Sequence, residues 1–161
     1  MERKGDLALS ELVVRPLGGE DFVAWALLFR GYRAFYHLAP DEGVVRRVWD
    51  WILDPAHETN GLVVDEGGRL RGLAHYRRFA RPSSGTVGLY LDDLFTDPDS
   101  RGRGVARELL GALEGIALRD GLSVVRWITA RDNVRARRLY DEVAQATAWT
   151  TYDLTPRAPR P

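Results

Sequence analysis

Residues 97–106 form an arginine- and glycine-rich loop between two segments of different periodicity, and this arrangement restricts the fold more than any other feature of the chain. The preceding residues 86–96 are rich in β-branched, aromatic and leucine side chains, which predicts a strand. The apolar residues after the loop recur at helical spacing and predict an amphipathic helix that Asp120 and Gly121 end. Residues 124–129 are apolar almost throughout and predict a strand buried on both faces. The sequence therefore predicts a strand, a helix and a second strand in succession.

The loop of this unit predicts a binding site for a phosphate-bearing ligand. The first amide groups of a helix are free to bind an anion, and glycines let the anion approach the backbone. Arg101, Arg103 and Arg107 add positive charge around the turn. A P-loop needs a Gly-Lys pair and no lysine follows Lys4, whereas a dinucleotide-binding loop needs a third glycine where Arg107 stands. A solvated arginine–glycine loop before an ordinary helix is the structural alternative.

The rest of the chain predicts strands and helices in an order typical of an α/β domain. The expected elements are a strand at 12–17, helices at 20–37 and 41–54, a hairpin of strands at 62–64 and 70–79, a helix at 133–143 and a last strand at 148–154. Asp41 is expected to cap the second helix, and Gly111 and Gly115 in the long helix suggest close packing on the sheet. We expect one domain over residues 1–155 and a loose tail at 156–161.

Composition disfavours several classes of function. The 23 basic and 23 acidic side chains balance, so the chain lacks the overall positive charge of a dedicated nucleic-acid binder. Cysteine is absent and there are three histidines, so neither a cysteine nucleophile nor a metal site is expected. No apolar stretch reaches the roughly eighteen residues of a membrane span, and the N-terminus lacks the pattern of a signal peptide. We expect a cytoplasmic protein without a membrane partner.

In this context the loop resembles that of the GNAT acetyltransferases, whose pattern Gln/Arg-x-x-Gly-x-Gly/Ala is met by Arg101-Gly102-Arg103-Gly104-Val105-Ala106. The resemblance covers nearly the whole chain and implies the GNAT acyl-CoA N-acyltransferase fold, an α/β (α+β) domain with a mixed sheet of six to seven strands and about four helices. It also implies acetyl-CoA as cofactor, with its pyrophosphate at this motif and its pantetheine arm between a fourth and a fifth strand that splay apart. Residues 91–96, 127–129, 132–133 and 136–141 are similar to the branch with yeast histone, polyamine and D-amino-acid acetyltransferases.

Three residues of the last predicted helix, Asn133, Ala136 and Tyr140, are spaced to share one helical face. The resemblance implies that Asn133 and Ala136 belong to the cofactor site and that Tyr140 lies near the cofactor sulfur. A phenol with a pKa of about 10 can protonate a leaving thiolate whose thiol has a pKa of about 8.5, so Tyr140 is the expected general acid. Packing beside Leu139 and Val143 is the structural alternative.

The end of the fourth strand is expected to supply the other groups of the site. The resemblance implies that amides of Leu94, Phe95 and Thr96 pair with the pantetheine arm as an added strand would, and that Leu94 stabilises the negative charge on the thioester oxygen. Asp92 or Asp93 is expected to accept the proton of the attacking amine. Side chains alternate along a strand, so only one of the two can point into the space between the fourth and fifth strands unless a bulge intervenes. Asp93 is slightly preferred.

Two further features of the sequence are better explained by packing than by catalysis. His75 could serve as the base, but a lone histidine in a strand is more often a packing residue. The aromatic residues of the first helix have the spacing of a core face and could also line an acceptor pocket; they are Trp25, Phe29, Tyr32 and Tyr36.

The expected reaction is acetyl transfer from acetyl-CoA to a primary amine by direct attack in a ternary complex, with a small amine or an amino acid as acceptor. A lysine or N-terminal protein acetyltransferase and a non-catalytic acetyl-CoA sensor or scaffold are the alternatives. An RNA-binding module would need more clustered basic and aromatic residues. The acceptor itself and the formation of a homodimer stay open at this point, since the fold alone does not determine them.

Overall fold

The structure is a computed structural model in which residues 11–156 are described. Its strands are β1 Val13–Pro16, β2 Asn60–Glu66, β3 Arg69–Arg81, β4 Thr86–Thr96 and β5 Val125–Arg126. Its helices are α1 Phe22–Phe35, α2 Glu42–Leu53, α3 Val105–Arg119 and α4 Val134–Val143. The predicted α/β class and the four helices are confirmed. The described residues contain five strands in place of the six or seven expected.

The chain divides into two compact units, Met1–Ile128 and Thr129–Pro161, which we call the main unit and the C-terminal unit. The main unit contains all five strands with α1, α2 and α3, and the C-terminal unit contains α4. A single domain over residues 1–155 stays a prediction. The expected loose tail lies outside the described residues, apart from Pro156.

The sheet of the main unit is mixed and has the order β1-β2-β3-β4-β5. Adjacent strands run antiparallel, except for β4 and β5, which run parallel. One face is covered by α1 and α2, whose buried Trp25 and Trp49 pack with Leu73 and Phe95 of the sheet. We call it the α1 face. The opposite face packs against α3, because a Cβ added to Gly72 would lie 2.5 Å from a methyl group of Val105.

Local sequence signals set several element boundaries as predicted. The Asp41 carboxylate accepts a 3.0 Å hydrogen bond from the amide of Val44 and so caps α2. The hairpin turn between β2 and β3 uses Gly67 and Gly68 with positive φ angles of 62° and 88°, a conformation that glycine adopts without a steric cost. The predicted hairpin and the predicted capping of α2 are confirmed.

The fifth strand is shorter and less buried than predicted. It pairs with β4 only through Leu89 with Val125 and Tyr90 with Arg126. The prediction of burial on both faces over residues 124–129 is wrong, since these residues are half-buried or exposed. The reason is position, because β5 lies at the edge of the sheet and has one neighbouring strand.

The strand predicted at residues 148–154 is also absent from the described structure. Its large side chains are almost fully exposed: Trp149 to 86%, Tyr152 to 90% and Leu154 to 94%. Aromatic and β-branched residues favour a strand only where a neighbouring strand pairs with them, and none of the described strands does so here.

The two glycines inside α3 do not pack closely against the sheet, contrary to expectation. A Cβ added to Gly111 or Gly115 would meet no atom within 4 Å, and both residues are exposed. Their absent side chains therefore leave open space on the solvent side of the helix.

We expect the substitution Gly111→Ala to stabilise the main unit, because alanine lowers the backbone entropy of the unfolded chain and fits the open space. The gain should be about 0.5–1 kcal/mol in the free energy of unfolding, measured by urea denaturation. Gly72→Ala is the opposite case, since its Cβ would lie 2.5 Å from Val105 and 2.8 Å from the Phe95 carbonyl oxygen. A loss of stability in the Gly111→Ala protein would contradict this packing.

Candidate active site

The arginine–glycine loop joins β4 to α3 and leaves the start of the helix open. Gly102 and Gly104 have φ angles of 78° and 86°, in the left-handed region that favours glycine. Gly104 is the N-cap of α3 and provides no side-chain hydrogen bond, so the amides of Val105 and Ala106 have no partner within the helix. A Cβ added to Gly102 or Gly104 would meet no atom within 4 Å. The loop thus has the open approach and the free amides that an anion requires.

The guanidinium of Arg103 contacts the sheet. It forms a bidentate ion pair with the carboxylate of Glu66, which also lies 2.6 Å from Arg71. The hydrogen bond from Arg103, assisted by Arg71, lowers the pKa of Glu66 although burial opposes this. Arg103 therefore fixes the loop to the end of β2 and shares the one negative charge of Glu66 with Arg71.

The outer edge of β4 changes its hydrogen bonding along the strand. The amide of Leu89 donates to the Val124 carbonyl at 2.8 Å, toward β5. Farther along, the amide of Asp97 donates to the Arg71 carbonyl at 2.8 Å, toward β3. Hydrogen-bonded pairs alternate in an antiparallel ladder, so residues 93 and 95 also bond to β3 whereas Leu94 and Thr96 direct their backbone groups to the other edge.

On that other edge, none of the described strands pairs with residues 91–96. The backbone groups of Leu94 and Thr96 are therefore available for an extended ligand, which supports two of the three predicted strand contacts. Phe95 differs from them, because its backbone bonds to β3 and its side chain is buried in the core.

A β-bulge places both aspartates of β4. His75 pairs with Asp93 and Tyr76 pairs with Leu91, so Asp92 is the extra residue. Asp93 thereby lies beside His75 on the α1 face. The bulge that would allow both predicted carboxylates to serve one site is therefore present in the structure.

Asp93 is held by a buried hydrogen-bond network. The Trp25 indole donates to Nε2 of His75 at 2.9 Å, and Nδ1 of His75 lies 2.8 Å from the Asp93 carboxylate. An indole can only donate, so Nε2 is the acceptor and the proton of the neutral imidazole is on Nδ1, which donates to Asp93. The Tyr32 hydroxyl also hydrogen bonds to this carboxylate. His75 has both nitrogens engaged and serves to position Asp93.

These contacts affect the acidity of the two aspartates in opposite directions. Burial raises the pKa of Asp93, but the hydrogen bonds from His75 and Tyr32 outweigh it, and the net shift is downward. Partial burial raises the pKa of Asp92, and the neighbouring Asp93 adds to this, although Arg77 opposes it. Asp92 lies 3.2 Å from the Nε atom of Arg77. Of the two carboxylates, Asp92 is thus the stronger base.

In the C-terminal unit, Asn133, Ala136 and Tyr140 share one face of α4. All three are half-buried, whereas most other residues of this helix are exposed. Asn133 is the N-cap of the helix, which begins at Val134, and its side chain accepts a hydrogen bond from the Ala136 amide at 3.4 Å. The predicted stripe is therefore present, with a capping role for Asn133 that its position before the helix explains.

Sequence reasoning missed the roles of Trp25 and Tyr32 and underestimated that of His75. The available signal was the occurrence of hydrogen-bonding aromatic residues at the helical positions that face the sheet. That signal does not reveal a partner 50 residues away in the chain, as Trp25 and His75 are.

Neither a metal site nor a membrane-spanning helix is found among the described residues 11–156. They contain no group of three or more histidine, cysteine, aspartate or glutamate side chains placed to hold a metal ion. None of their helices is long and apolar enough to cross a membrane.

The fold and the loop define an acyltransferase of the GNAT class, and comparison with known proteins agrees. The model of the Acetyltransferase (GNAT) family matches residues 21–144. The D-amino-acid N-acetyltransferase HPA3 of Saccharomyces cerevisiae is 28% identical over 143 residues, which cover 88% of this chain and 89% of the yeast protein. The uncharacterized N-acetyltransferase YhfO of Bacillus subtilis is 31% identical over 130 residues, or 80% and 86% of the two chains. The chain belongs to the GNAT family and is an acetyltransferase.

A solved structure shows the shared fold. The aminoglycoside N-acetyltransferase AAC(6')-Iy in complex with CoA has a TM-score of 0.75 and 15% sequence identity, and the match covers 96% of this chain and 99% of that one. The expected GNAT fold is confirmed.

We expect Gly104→Val to abolish acetyl-CoA binding while the fold is retained. Valine is strained at a φ of 86°, so the loop must shift, and its side chain would occupy the open approach to the helix amides. Isothermal titration calorimetry with acetyl-CoA measures the loss, and circular dichroism checks the fold.

Gly85→Val is the matched control, because Gly85 also has a positive φ, 62°, and open surroundings but lies in the turn before β4. It should bind acetyl-CoA like the parent protein. Parent-like affinity in a folded Gly104→Val protein would show that the loop is not the phosphate site.

Proposed function

We propose that this enzyme transfers the acetyl group of acetyl-CoA to a primary amine by direct attack in a ternary complex. The observation that carries the proposal is the free edge of β4, where Leu94 and Thr96 direct their backbone groups away from β3 next to an anion-binding loop. A pantetheine arm contains amides that can pair with such an edge as a strand would. The pyrophosphate would be bound by the amides that follow Gly104.

The motif residues divide into four roles in this proposal. Gly102 and Gly104 keep the backbone accessible, and Val105 and Ala106 offer helix amides to the phosphates. Arg101 supplies a nearby positive charge, and Arg103 holds the loop through Glu66. In the C-terminal unit, Asn133 and Ala136 are assigned to cofactor binding by their resemblance to the family motif alone.

We propose that Asp92 accepts the proton of the attacking amine and that Asp93 acts as a positioning residue. Asp93 accepts hydrogen bonds from His75 and Tyr32, which stabilise its ionised form and make it a weaker base. Asp92 lacks these donors, and its pKa is raised by partial burial. These contacts move the preference from Asp93, favoured slightly on sequence, to its neighbour.

The leaving thiolate needs a proton or a stabilising charge, and Tyr140 is the proposed donor. The proposal rests on the match of residues 133–140 to the family motif and on the half-buried position of Tyr140 on α4. The amide of Leu94 would stabilise the negative charge that develops on the thioester oxygen.

The proposed acceptor is a small amine or an amino acid. The similarity to HPA3, whose name gives D-amino acids as its substrates, supports this class. The aminoglycoside acetyltransferase shares the fold at 15% identity, and this likeness carries no weight for the acceptor.

Thiol release from acetyl-CoA tests the proposed function, with amino acids, polyamines, aminoglycosides and peptides as acceptors. The parent should release thiol only with an accepted amine present. Tyr140→Phe should lower turnover about ten- to a thousandfold, because it removes the proton donor and keeps the ring. Acetyl-CoA affinity should be nearly unchanged.

The matched control for Tyr140→Phe is Tyr152→Phe, since Tyr152 belongs to the same unit and is 90% exposed. It should turn over like the parent. Unchanged turnover in Tyr140→Phe would assign that residue to packing, and the absence of amine-dependent thiol release with every acceptor would reject the transferase proposal.

The pH profile of kcat/KM tests the proposed base. Asp92 must be ionised to accept a proton and its pKa is raised, so activity should fall as the pH drops through a value above the ordinary pKa of aspartate. Asp92→Asn should lower kcat/KM about a hundredfold or more and remove this limb. Parent and variant are compared with the same acceptor, so the ionisation of the amine affects both equally. An acidic limb that persists in Asp92→Asn would point to another base.

A further inference from the structure

A cluster of two arginines and two aromatic residues lies on the α1 face at the β3, β4 and β5 strands. Arg77, Tyr90 and Arg126 are direct neighbours in register across these strands, so their side chains share one face. Phe79 follows Arg77 by two residues on β3 and belongs to the same face. We call these four residues the arginine–aromatic cluster.

Ring contacts hold the two guanidinium groups in place. Arg77 lies over the ring of Tyr90 at 5.0 Å, and Arg126 lies over the ring of Phe79 at 5.4 Å. The two rings meet edge to face at 5.9 Å. A guanidinium that stacks on a ring keeps its N–H groups free at its edge, where they match the two oxygens of a carboxylate.

The cluster adjoins the proposed base. Arg77 follows His75 by two residues on the same face of β3, and its Nε atom lies 3.2 Å from Asp92. Arg126 is exposed, and no carboxylate of residues 11–156 forms an ion pair with it. Asp92 thus contacts one positive group, Arg77, and a second positive group, Arg126, lies on the other side of Tyr90 and lacks a counterion within the described part of the chain.

This charge arrangement complements a molecule that carries both an ammonium and a carboxylate group. A polyamine or an aminoglycoside would bring several positive charges to two guanidinium groups and be repelled. A neutral amine would leave Arg126 without a counterion.

We propose that the arginine–aromatic cluster binds the carboxylate of the acceptor, with Arg126 as the specificity-determining residue, so that the acceptors are free amino acids. The inference rests on the proposed function, since it places the acceptor amine at Asp92. Arg77 connects the two ends of the acceptor, because it contacts Asp92 and borders the carboxylate position.

The test compares free amino acids with their carboxamides, which keep the amine and remove the negative charge. Arg126→Gln should lower kcat/KM for the amino acids about ten- to a hundredfold, mainly through KM, as expected for one lost hydrogen bond to a charged group. For the carboxamides kcat/KM should change by less than about twofold. Dividing each variant value by the parent value for the same acceptor cancels the different basicities of the two amines.

Arg78→Gln is the matched control. Arg78 follows Arg77 on β3 and therefore points to the face opposite the α1 face. It pairs with Asp120, and its side chain is 61% exposed. Arg78→Gln should leave kcat/KM unchanged for both amino acids and carboxamides. Equal losses for amino acids and carboxamides in Arg126→Gln would overturn the proposal, as would a parent enzyme that prefers carboxamides or polyamines.

Calorimetry separates failure of this inference from failure of the proposed reaction. Amino acids and carboxamides are titrated into the protein saturated with CoA, which requires no turnover. Carboxylate-dependent binding that Arg126→Gln removes would support the cluster as a carboxylate site even if no acceptor were acetylated. Binding that does not depend on the carboxylate, or no binding of either class, would reject the cluster.

Discussion

One additional residue in β4, Asp92, determines the geometry on which the rest of the site depends. Before this bulge Leu89 bonds outward to the β5 side, and without it residues 93 and 95 would continue to do so. The bulge shifts the alternation by one, so that Leu94 and Thr96 face the outer edge, where β5 pairing has ended. It also moves Asp93 to the α1 face. The proposed cofactor edge and the carboxylates thus have a single structural cause.

The aromatic core and the proposed catalytic groups are physically continuous. Trp25 is fully buried, yet its indole fixes the tautomer of His75, which holds Asp93. A buried network of this kind is stable only when every donor has an acceptor, and Tyr32 supplies the further bond to the carboxylate. Core packing by α1 therefore sets the direction of a charged group. This coupling fits the proposed division of roles, in which Asp93 positions and Asp92 accepts the proton.

Charge is distributed unevenly on a chain whose formal net charge is zero. At the loop, Arg103 pairs with Glu66 and acts as an anchor, so the proposed recognition of a phosphate falls mainly to backbone amides. On the α1 face, Arg126 has no ion pair within the described residues. In the proposed reaction the loop and the edge of β4 bind the donor, whereas the choice of acceptor depends on side chains such as Arg126. This division explains why family membership by itself leaves the acceptor open.

The sequence by itself determined the elements whose causes are local. The Gly67-Gly68 turn, the Asp41 cap and the glycines before α3 act through neighbouring residues. The β2–β3 hairpin, α2, α3 and the arginine–glycine loop were therefore predictable. The tertiary structure decided what depends on distant partners. The bulge at Asp92 arises from pairing with β3, and the partners of His75 come from α1 and β4. Residues 148–154 have strand propensity but no pairing strand, because sequence encodes propensity while hydrogen bonds between distant segments decide whether a strand forms.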